Sequence, residues 1–236
     1  MTSCSASFDA VFYEAFEEEE KILREFLPSG LNCLFTWKTI QESGHVLPPS
    51  GIISTRTQSE FPEEWSGKLS AIITRSTGYD HVTSYIRKTG KENKISCACL
   101  PDYAARAVAE QAMLMWTALS RKIKIQMKSF EAFNRDGLTG FEVLGKTILV
   151  AGVGRIGSQI VEIASGLGMK PIGFDISPRK DLEEKFSLKY LALEDALPSA
   201  DIVVCALPLT NDTCGLFNYN ILSKLRKGAL FINIAR

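Results

Sequence analysis

The hexapeptide Gly152-Val153-Gly154-Arg155-Ile156-Gly157 decides the fold of the second half of this 236-residue chain. The apolar residues 147–151 precede it and predict a buried strand, and residues 156–167 follow with apolar side chains at a helical spacing. A glycine-rich turn between a strand and a helix is typical of a βαβ unit. Gly152 permits the tight turn, Gly154 lets a phosphate approach the backbone, and Gly157 lets the helix pack closely on the sheet.

Asp175 lies 18 residues beyond Gly157 and follows residues 171–174, which predict the next strand. A carboxylate at that point can accept hydrogen bonds from the adenosine ribose hydroxyls and repels a 2′-phosphate, so the spacing favours NAD over NADP. Arg179 and Lys180 follow closely and could soften that preference. The alternative is a helix-capping turn with Asp175 as a surface residue. The strand, the helix and the carboxylate together favour a cofactor site formed by Gly152, Gly154, Arg155, Ile156, Gly157 and Asp175.

The rest of the chain alternates predicted strands and helices, which is typical of an α/β fold. The first hundred residues predict a helix at residues 15–27 and short strands at residues 8–13, 31–35, 51–54, 71–74 and 94–100. Pro101-Asp102 then suggests a domain crossing. The helix predicted at residues 103–122 has a wide apolar surface, so we expect it to be largely buried. A weaker strand is predicted at residues 188–191, and near-continuous apolar strands, typical of a parallel sheet covered on both faces, at residues 202–207 and 230–234.

Charge and composition exclude several classes of partner. Lys+Arg and Asp+Glu are equal at 27 each, so no net field favours nucleic acid or an anionic membrane. The sequence shows no secretory leader pattern and no apolar stretch long enough for a bilayer. The six cysteines form no zinc-binding spacing, so we expect no metal and a cytoplasmic location, with Cys97 and Cys205 buried. The glutamates at residues 17–20 favour a solvated helix start over a metal site.

Five segments in order resemble the D-isomer-specific 2-hydroxyacid dehydrogenases: residues 75–82, 108–110, 145–157, 200–210 and 228–236. The resemblance implies two doubly wound parallel-sheet α/β domains, a flavodoxin-like substrate domain at residues 1–102 and a Rossmann NAD-binding domain at residues 103–236. It implies an oxidoreductase that transfers hydride between NAD and a small 2-hydroxy or 2-keto acid. It also implies a homodimer formed through the helix at residues 103–122.

The resemblance assigns roles to individual residues. The loop Ser76-Thr77-Gly78 would present backbone N–H groups to the substrate carboxylate, as an anion nest after a strand can do. Arg236 would be the catalytic arginine, because a guanidinium can bind a carboxylate and polarise the neighbouring carbonyl. The plain alternatives are an ordinary turn and a solvated charge. The remaining cofactor-binding residues that the family implies are Leu207, Pro208, Thr213, Ile234 and Ala235.

The resemblance ends before the acid–base pair. In the family a glutamate and then a histidine follow the arginine, and the histidine exchanges the proton that accompanies hydride transfer. Neither His45 nor His81 occupies that position, and we expect each to be structural or solvent-exposed. We therefore expect a fragment whose Rossmann domain is incomplete at its C-terminal end and which is inactive alone. The alternative function is a non-catalytic NAD-binding regulatory or corepressor-like protein.

Overall fold

The computed structural model describes residues 8–91, 94–132 and 134–235. The chain forms two compact units, of which the first ends at Tyr103 and the second begins at Ala104. Each unit contains one five-stranded sheet, and every strand pairing in both sheets is parallel. Parallel strands need crossover connections, and helices supply most of them here.

The first unit has the flavodoxin-like strand order. Its strands are β1 (Ala10–Phe12), β2 (Cys33–Phe35), β3 (Ile52–Thr55), β4 (Ala71–Thr74) and β5 (Ser96–Cys99). They lie in the order β2-β1-β3-β4-β5, so the chain reverses direction across the sheet between β1 and β3. Its helices are α1 (Glu17–Phe26), α2 (Ile40–Ser43) and α3 (Asp80–Thr89). The core packs Val11, Ile53 and Ile72 from the strands against Trp65 and Val82.

The second unit has a Rossmann strand order. Two helices, α4 (Ala105–Ser120) and α5 (Ile123–Ser129), precede its sheet. The strands are β6 (Thr147–Ala151), β7 (Lys170–Phe174), β8 (Lys189–Tyr190), β9 (Ile202–Cys205) and β10 (Leu230–Asn233). Between them lie α6 (Arg155–Gly166), α7 (Lys180–Phe186), α8 (Leu193–Ala196) and α9 (Tyr219–Leu222). The order β10-β9-β6-β7-β8 places the first strand in the centre, and the chain switches sides between β8 and β9.

Helix α4 is only partly buried, contrary to the sequence-based expectation. Its buried residues are Ala109, Ala112, Trp116 and Ser120, which form one stripe against α6 and the sheet. Leu114 is 56% exposed and Leu119 is 50% exposed, although both side chains are large and apolar. The helix is apolar almost all round, so composition could not show which face the protein covers.

The prediction for Cys97 was also wrong, since this thiol lies exposed on the edge strand β5, whereas Cys205 is buried as expected.

Candidate functional site

The glycine-rich turn follows β6 and depends on Gly152. This residue has a φ of +90°, in the region that disfavours side chains, and its N–H donates to the Phe174 carbonyl at 2.8 Å. A Cβ on Gly152 would lie 2.9 Å from the carbonyl carbon and oxygen of Ala206. The turn therefore passes directly against the chain that leaves β9, and only glycine fits there.

Gly157 and Gly154 meet different requirements at the start of α6. A Cβ on Gly157 would lie 1.9 Å from the Gly152 carbonyl oxygen, so this position lets the helix sit against the turn. Gly154 has a negative φ of −75°, and a Cβ there would meet nothing within 4 Å. Its lack of a side chain serves no packing need in the chain itself. It leaves the backbone before α6 open to a ligand, at a helix end that carries partial positive charge and N–H donors.

Asp175 fixes the turn to the loop after β7. Its Oδ2 accepts the Val153 N–H at 2.7 Å, and its Oδ1 accepts the Ser177 N–H at 2.9 Å. Both oxygens are thereby held in place, and each retains acceptor capacity for a further donor. The half-buried carboxylate stands at the carboxyl end of β7, beside the strand that carries the glycine turn. Its remaining acceptor capacity suits hydroxyl donors.

The predicted residues after β9 and β10 lie at the same edge of the sheet. A Cβ on Gly152 would be 2.9 Å from the Leu207 backbone nitrogen, so Leu207 directly adjoins the glycine turn. Pro208 follows it, and the Thr213 hydroxyl donates to the Pro208 carbonyl and accepts the Thr210 N–H at 2.9 Å. The Ile234 N–H donates to the Cys205 carbonyl at 3.1 Å. Ala235, the last described residue, follows with its N–H bonded to the Asn233 side chain at 3.0 Å.

The loop Ser76-Thr77-Gly78 lies in the first unit, after β4. The Ser76 hydroxyl donates to the Gly78 carbonyl at 2.7 Å and lies 2.6 Å from the Thr74 hydroxyl, which fixes the turn internally. Within residues 8–91, none of the three backbone N–H groups donates to another part of the protein. Thr77 is exposed and Gly78 half-buried. Ser76 is buried, so the N–H donors most available to an anion are those of Thr77 and Gly78.

An ion pair between the buried Arg75 and the half-buried Glu19 supports this loop, and the sequence analysis did not predict it. The Arg75 guanidinium is buried, and its Nε donates to Glu19 Oε1 at 2.9 Å. Its other nitrogens donate to the Ser54 hydroxyl and the Tyr13 carbonyl, each at 2.8 Å. Arg75 immediately precedes Ser76, so these bonds fix where the loop leaves the strand. An arginine directly after a predicted apolar strand was the available signal.

Both histidines lie in the first unit, where His45 is hydrogen-bonded and the ring nitrogens of His81 are buried. The His45 Nδ1 lies 2.6 Å from the Tyr13 hydroxyl, whose pKa burial raises to about 12. Both ring nitrogens of His81 are buried and have no hydrogen-bond partner within the described residues. Burial lowers the pKa of His81 below its ordinary value, although the nearby Glu14 carboxylate and the Arg56 backbone oppose this. The predicted catalytic Arg236 lies outside the described residues.

The arrangement in the second unit suits a dinucleotide. Its first strand carries the glycine turn, and the sheet changes winding direction between that strand and β9. Ligands of open α/β sheets bind at such a switch point, outside the carboxyl ends of the strands. The open backbone at Gly154, the start of α6 and the fixed Asp175 carboxylate match a pyrophosphate and a ribose. Among the described residues, no cluster of three or more histidine, cysteine or acidic side chains could hold a metal.

Comparison with known proteins places the chain in a family. The family model for the D-isomer specific 2-hydroxyacid dehydrogenase, NAD binding domain, matches residues 112–236. The 2-hydroxyacid dehydrogenase homolog 1 of Schizosaccharomyces pombe is 33% identical over 169 residues, which are 70% of this chain and 49% of that protein. A glyoxylate reductase of Pyrococcus horikoshii is 29% identical over 232 residues, which are 94% of this chain and 65% of that protein. The chain therefore spans about half to two thirds of the length of these relatives.

Solved structures share the fold across most of the chain. D-lactate dehydrogenase from Aquifex aeolicus, complexed with NAD and lactic acid, has a TM-score of 0.82 and 27% identity, and covers 96% of this chain and 69% of its own. The apo-structure of D-lactate dehydrogenase from Escherichia coli has a TM-score of 0.79 at 22% identity, and covers 96% of this chain and 73% of its own. In the described part of the chain, no helix is long and apolar enough to cross a bilayer.

Proposed function

Because the chain belongs to the D-isomer-specific 2-hydroxyacid dehydrogenase family and carries its NAD-binding domain, we propose that this protein transfers hydride between NAD and a small 2-hydroxy or 2-keto acid. When bound, NAD supplies the hydride acceptor, or the donor in its reduced form. The observation that carries the proposal is the backbone cradle at the switch point: Gly152 pressed against Leu207, with Gly154 open before α6. The fixed carboxylate of Asp175 completes it.

We assign the second unit to the cofactor. The Gly154 backbone and the first N–H groups of α6, from Arg155, Ile156 and Gly157, would bind the pyrophosphate. Asp175 would bind the adenosine ribose and repel a 2′-phosphate. The segments that leave β9 and β10 would line the nicotinamide side through Leu207, Pro208, Thr213, Ile234 and Ala235.

We assign the first unit to the substrate. The N–H groups of Ser76, Thr77 and Gly78 would bind the substrate carboxylate, held in place by the Arg75–Glu19 pair. Arg236 would polarise the keto oxygen as negative charge develops on it, a task that suits a permanently charged planar donor. Support for these roles is that the loop N–H groups have no backbone hydrogen-bond partner within the part of the chain that the structure describes, together with the resemblance of residues 75–82 and 228–236 to the family.

The proton that accompanies hydride transfer needs a donor. His45 is bonded to Tyr13, and His81 has enclosed ring nitrogens and a lowered pKa, so neither is suited to exchange protons with substrate. We therefore propose that these 236 residues bind NAD but turn over 2-keto acids slowly. A missing general acid typically costs about 10²–10⁴-fold in rate.

The test compares binding with turnover on the same preparation. NADH is titrated by fluorescence, and its oxidation at 340 nm is followed with glyoxylate, pyruvate and an aromatic 2-keto acid. We expect saturable NADH binding with oxidation at least about 10²-fold below that of a D-lactate dehydrogenase of the family assayed alongside. Turnover at the rate of that enzyme would contradict the proposed lack of a proton donor. Absence of NADH binding would contradict the function itself.

We also propose that the protein is a homodimer that pairs through α4 and α5. Helix α5 exposes a groove lined by Ile123, Met127 and Phe130, of which Met127 is 73% and Phe130 80% exposed. Exposed apolar patches of this kind mark protein contacts. Light scattering should give the mass of a dimer for the wild type and of a monomer for Met127→Glu/Phe130→Glu. The control Val46→Glu adds a charge at an equally exposed apolar site and should stay dimeric. A wild-type monomer at micromolar concentration would contradict this part.

A further inference from the structure

Arg179 is placed where a 2′-phosphate would be recognised. Dinucleotide sites that accept NADP use an arginine near the acidic position that follows the second strand of the unit. Arg179 lies four residues beyond Asp175, exposed at the start of α7. By position alone, its guanidinium could attract the 2′-phosphate and offset the repulsion from Asp175.

The backbone at Arg179 is fixed beside the ribose position. Its N–H donates to the Tyr190 hydroxyl at 3.2 Å. The Tyr190 ring in turn packs on Gly173 in β7, where an added Cβ would lie 2.8 Å from Tyr190 Cε1. Burial raises the pKa of the Tyr190 hydroxyl, and the Asp175 carboxylate adds to that rise, which is consistent with their proximity. Arg179 therefore starts close to the strand that presents Asp175.

The Arg179 side chain is already bound to another partner. Its Nη2 lies 2.6 Å from Asp181 Oδ2, and its Nε donates to Asp181 Oδ1 at 3.2 Å, a two-point contact. The bond from Arg179 lowers the pKa of Asp181, and the bond to Asp181 raises the pKa of Arg179. Two-point arginine–carboxylate pairs are geometrically specific, and both N–H vectors used here are unavailable to a phosphate while the pair persists.

We propose that Asp181 is a specificity-determining residue, which holds the Arg179 guanidinium in an ion pair and so withholds it from the 2′-phosphate of NADP. The inference rests on the proposed placement of the adenosine ribose at Asp175. In this arrangement Asp175 repels the phosphate and Asp181 removes the cation that could compensate for that repulsion. NAD has no 2′-phosphate, so its binding is indifferent to the pair.

The experiment measures equilibrium dissociation constants for NAD and NADP on wild type and variants. Asp181→Asn releases Arg179 with little change in shape. Glu184→Gln is the matched control, because it removes the same charge from an exposed position of the same helix. Arg179→Ala, alone and combined with Asp181→Asn, shows whether any gain passes through Arg179. Lys180→Ala, combined with Asp181→Asn, shows whether the neighbouring lysine supplies it instead.

We expect Asp181→Asn to tighten NADP binding by about two- to fivefold, the range of an exposed ion pair, and to leave NAD binding unchanged. The gain should vanish with Arg179→Ala, persist with Lys180→Ala, and shrink as salt is raised. An equal gain in Glu184→Gln, an equal change for both cofactors, or a gain that survives Arg179→Ala would each overturn the inference. Failure of the wild type to bind NAD would instead refute the proposed function, and the wild-type titration distinguishes that outcome from a failure of the inference on Asp181.

Discussion

Asp175 has two tasks at the residue scale, because the carboxylate proposed to bind the ribose also holds the chain. Its oxygens accept the Val153 and Ser177 N–H groups, so the glycine turn and the loop after β7 are joined through one side chain. Hydrogen bonds to a charged group contribute about 1.5–3 kcal/mol each. A change at this position should therefore loosen the turn as well as remove a ribose acceptor.

Asp175→Ala is expected to weaken NAD binding by at least about 10-fold, since loss of one charged hydrogen bond already corresponds to that factor. Asp175→Asn keeps an acceptor oxygen, so its NAD affinity should lie between that of Asp175→Ala and that of the wild type. Asp195→Ala, at an exposed position on α8, should bind NAD as the wild type does. Titration calorimetry decides this, and an affinity of Asp175→Ala within twofold of wild type would refute the role.

His81 gives a pH prediction. Its folded-state pKa lies below the ordinary 6.5, because burial outweighs the opposing effects of Glu14 and the Arg56 backbone. The folded state then binds fewer protons than the unfolded state, so stability is full above pH 6.5 and is lost as pH falls through the lower folded value. The free energy of urea unfolding should fall between pH 7 and pH 5, and less steeply in His81→Gln. Identical slopes of unfolding free energy against pH in the wild type and His81→Gln would contradict the assignment of this pH dependence to His81.

The sequence predicted the acidic residue and its place after β7, because both follow from spacing along the chain. It could not predict that the same carboxylate receives Val153 N–H, which depends on two loops meeting in space. The ion pair between Arg75 and Glu19 could not be predicted for the same reason, since its partners lie 56 residues apart. Long-range polar contacts leave no periodic pattern in a sequence.

At the scale of elements, strands were easier to predict than helix faces. The apolar run at residues 147–151 coincides with β6, in which four of five residues are buried, as expected of a strand covered on both faces. The run at residues 71–74 coincides with β4, although Ile73 in it is exposed. The burial of α4 was mispredicted because apolar residues surround most of its circumference. Helix α5 was not predicted at all: none of its seven residues is buried, so no core-facing stripe marks it.

The junction of β6 and α6 allows a matched pair of glycine substitutions. Gly157→Ala places a Cβ 1.9 Å from the Gly152 carbonyl oxygen, so α6 must shift. We expect a loss of about 1–3 kcal/mol in unfolding free energy, the usual range for overpacking, together with weaker NAD binding. Gly166→Ala, near the end of the same helix, meets nothing within 4 Å and should stabilise the chain by about 0.5–1 kcal/mol. Equal unfolding free energies for the two variants would contradict the packing argument.

At the scale of the whole molecule, strand order and site location agree. Both sheets are parallel and both reverse their winding. The alternation of strands and helices along the sequence predicts the α/β fold class but not the strand order. The family resemblance supplied the more specific orders. The individual substrate could not be predicted, because side-chain selectivity depends on residues without a motif. At this scale we expect NAD to bind across the glycine turn of the second unit.

Gly154→Ala tests that claim most directly, by NAD titration and urea unfolding of the same samples, with Gly166→Ala as control. An added methyl at Gly154 meets no atom of the chain, so we expect the unfolding free energy to fall by no more than about 1 kcal/mol, the cost of alanine at a helix N-cap. The methyl would occupy the space through which the pyrophosphate reaches the backbone, so NAD affinity should fall by about 10-fold or more. Wild-type NAD affinity in a folded Gly154→Ala protein would contradict the claim.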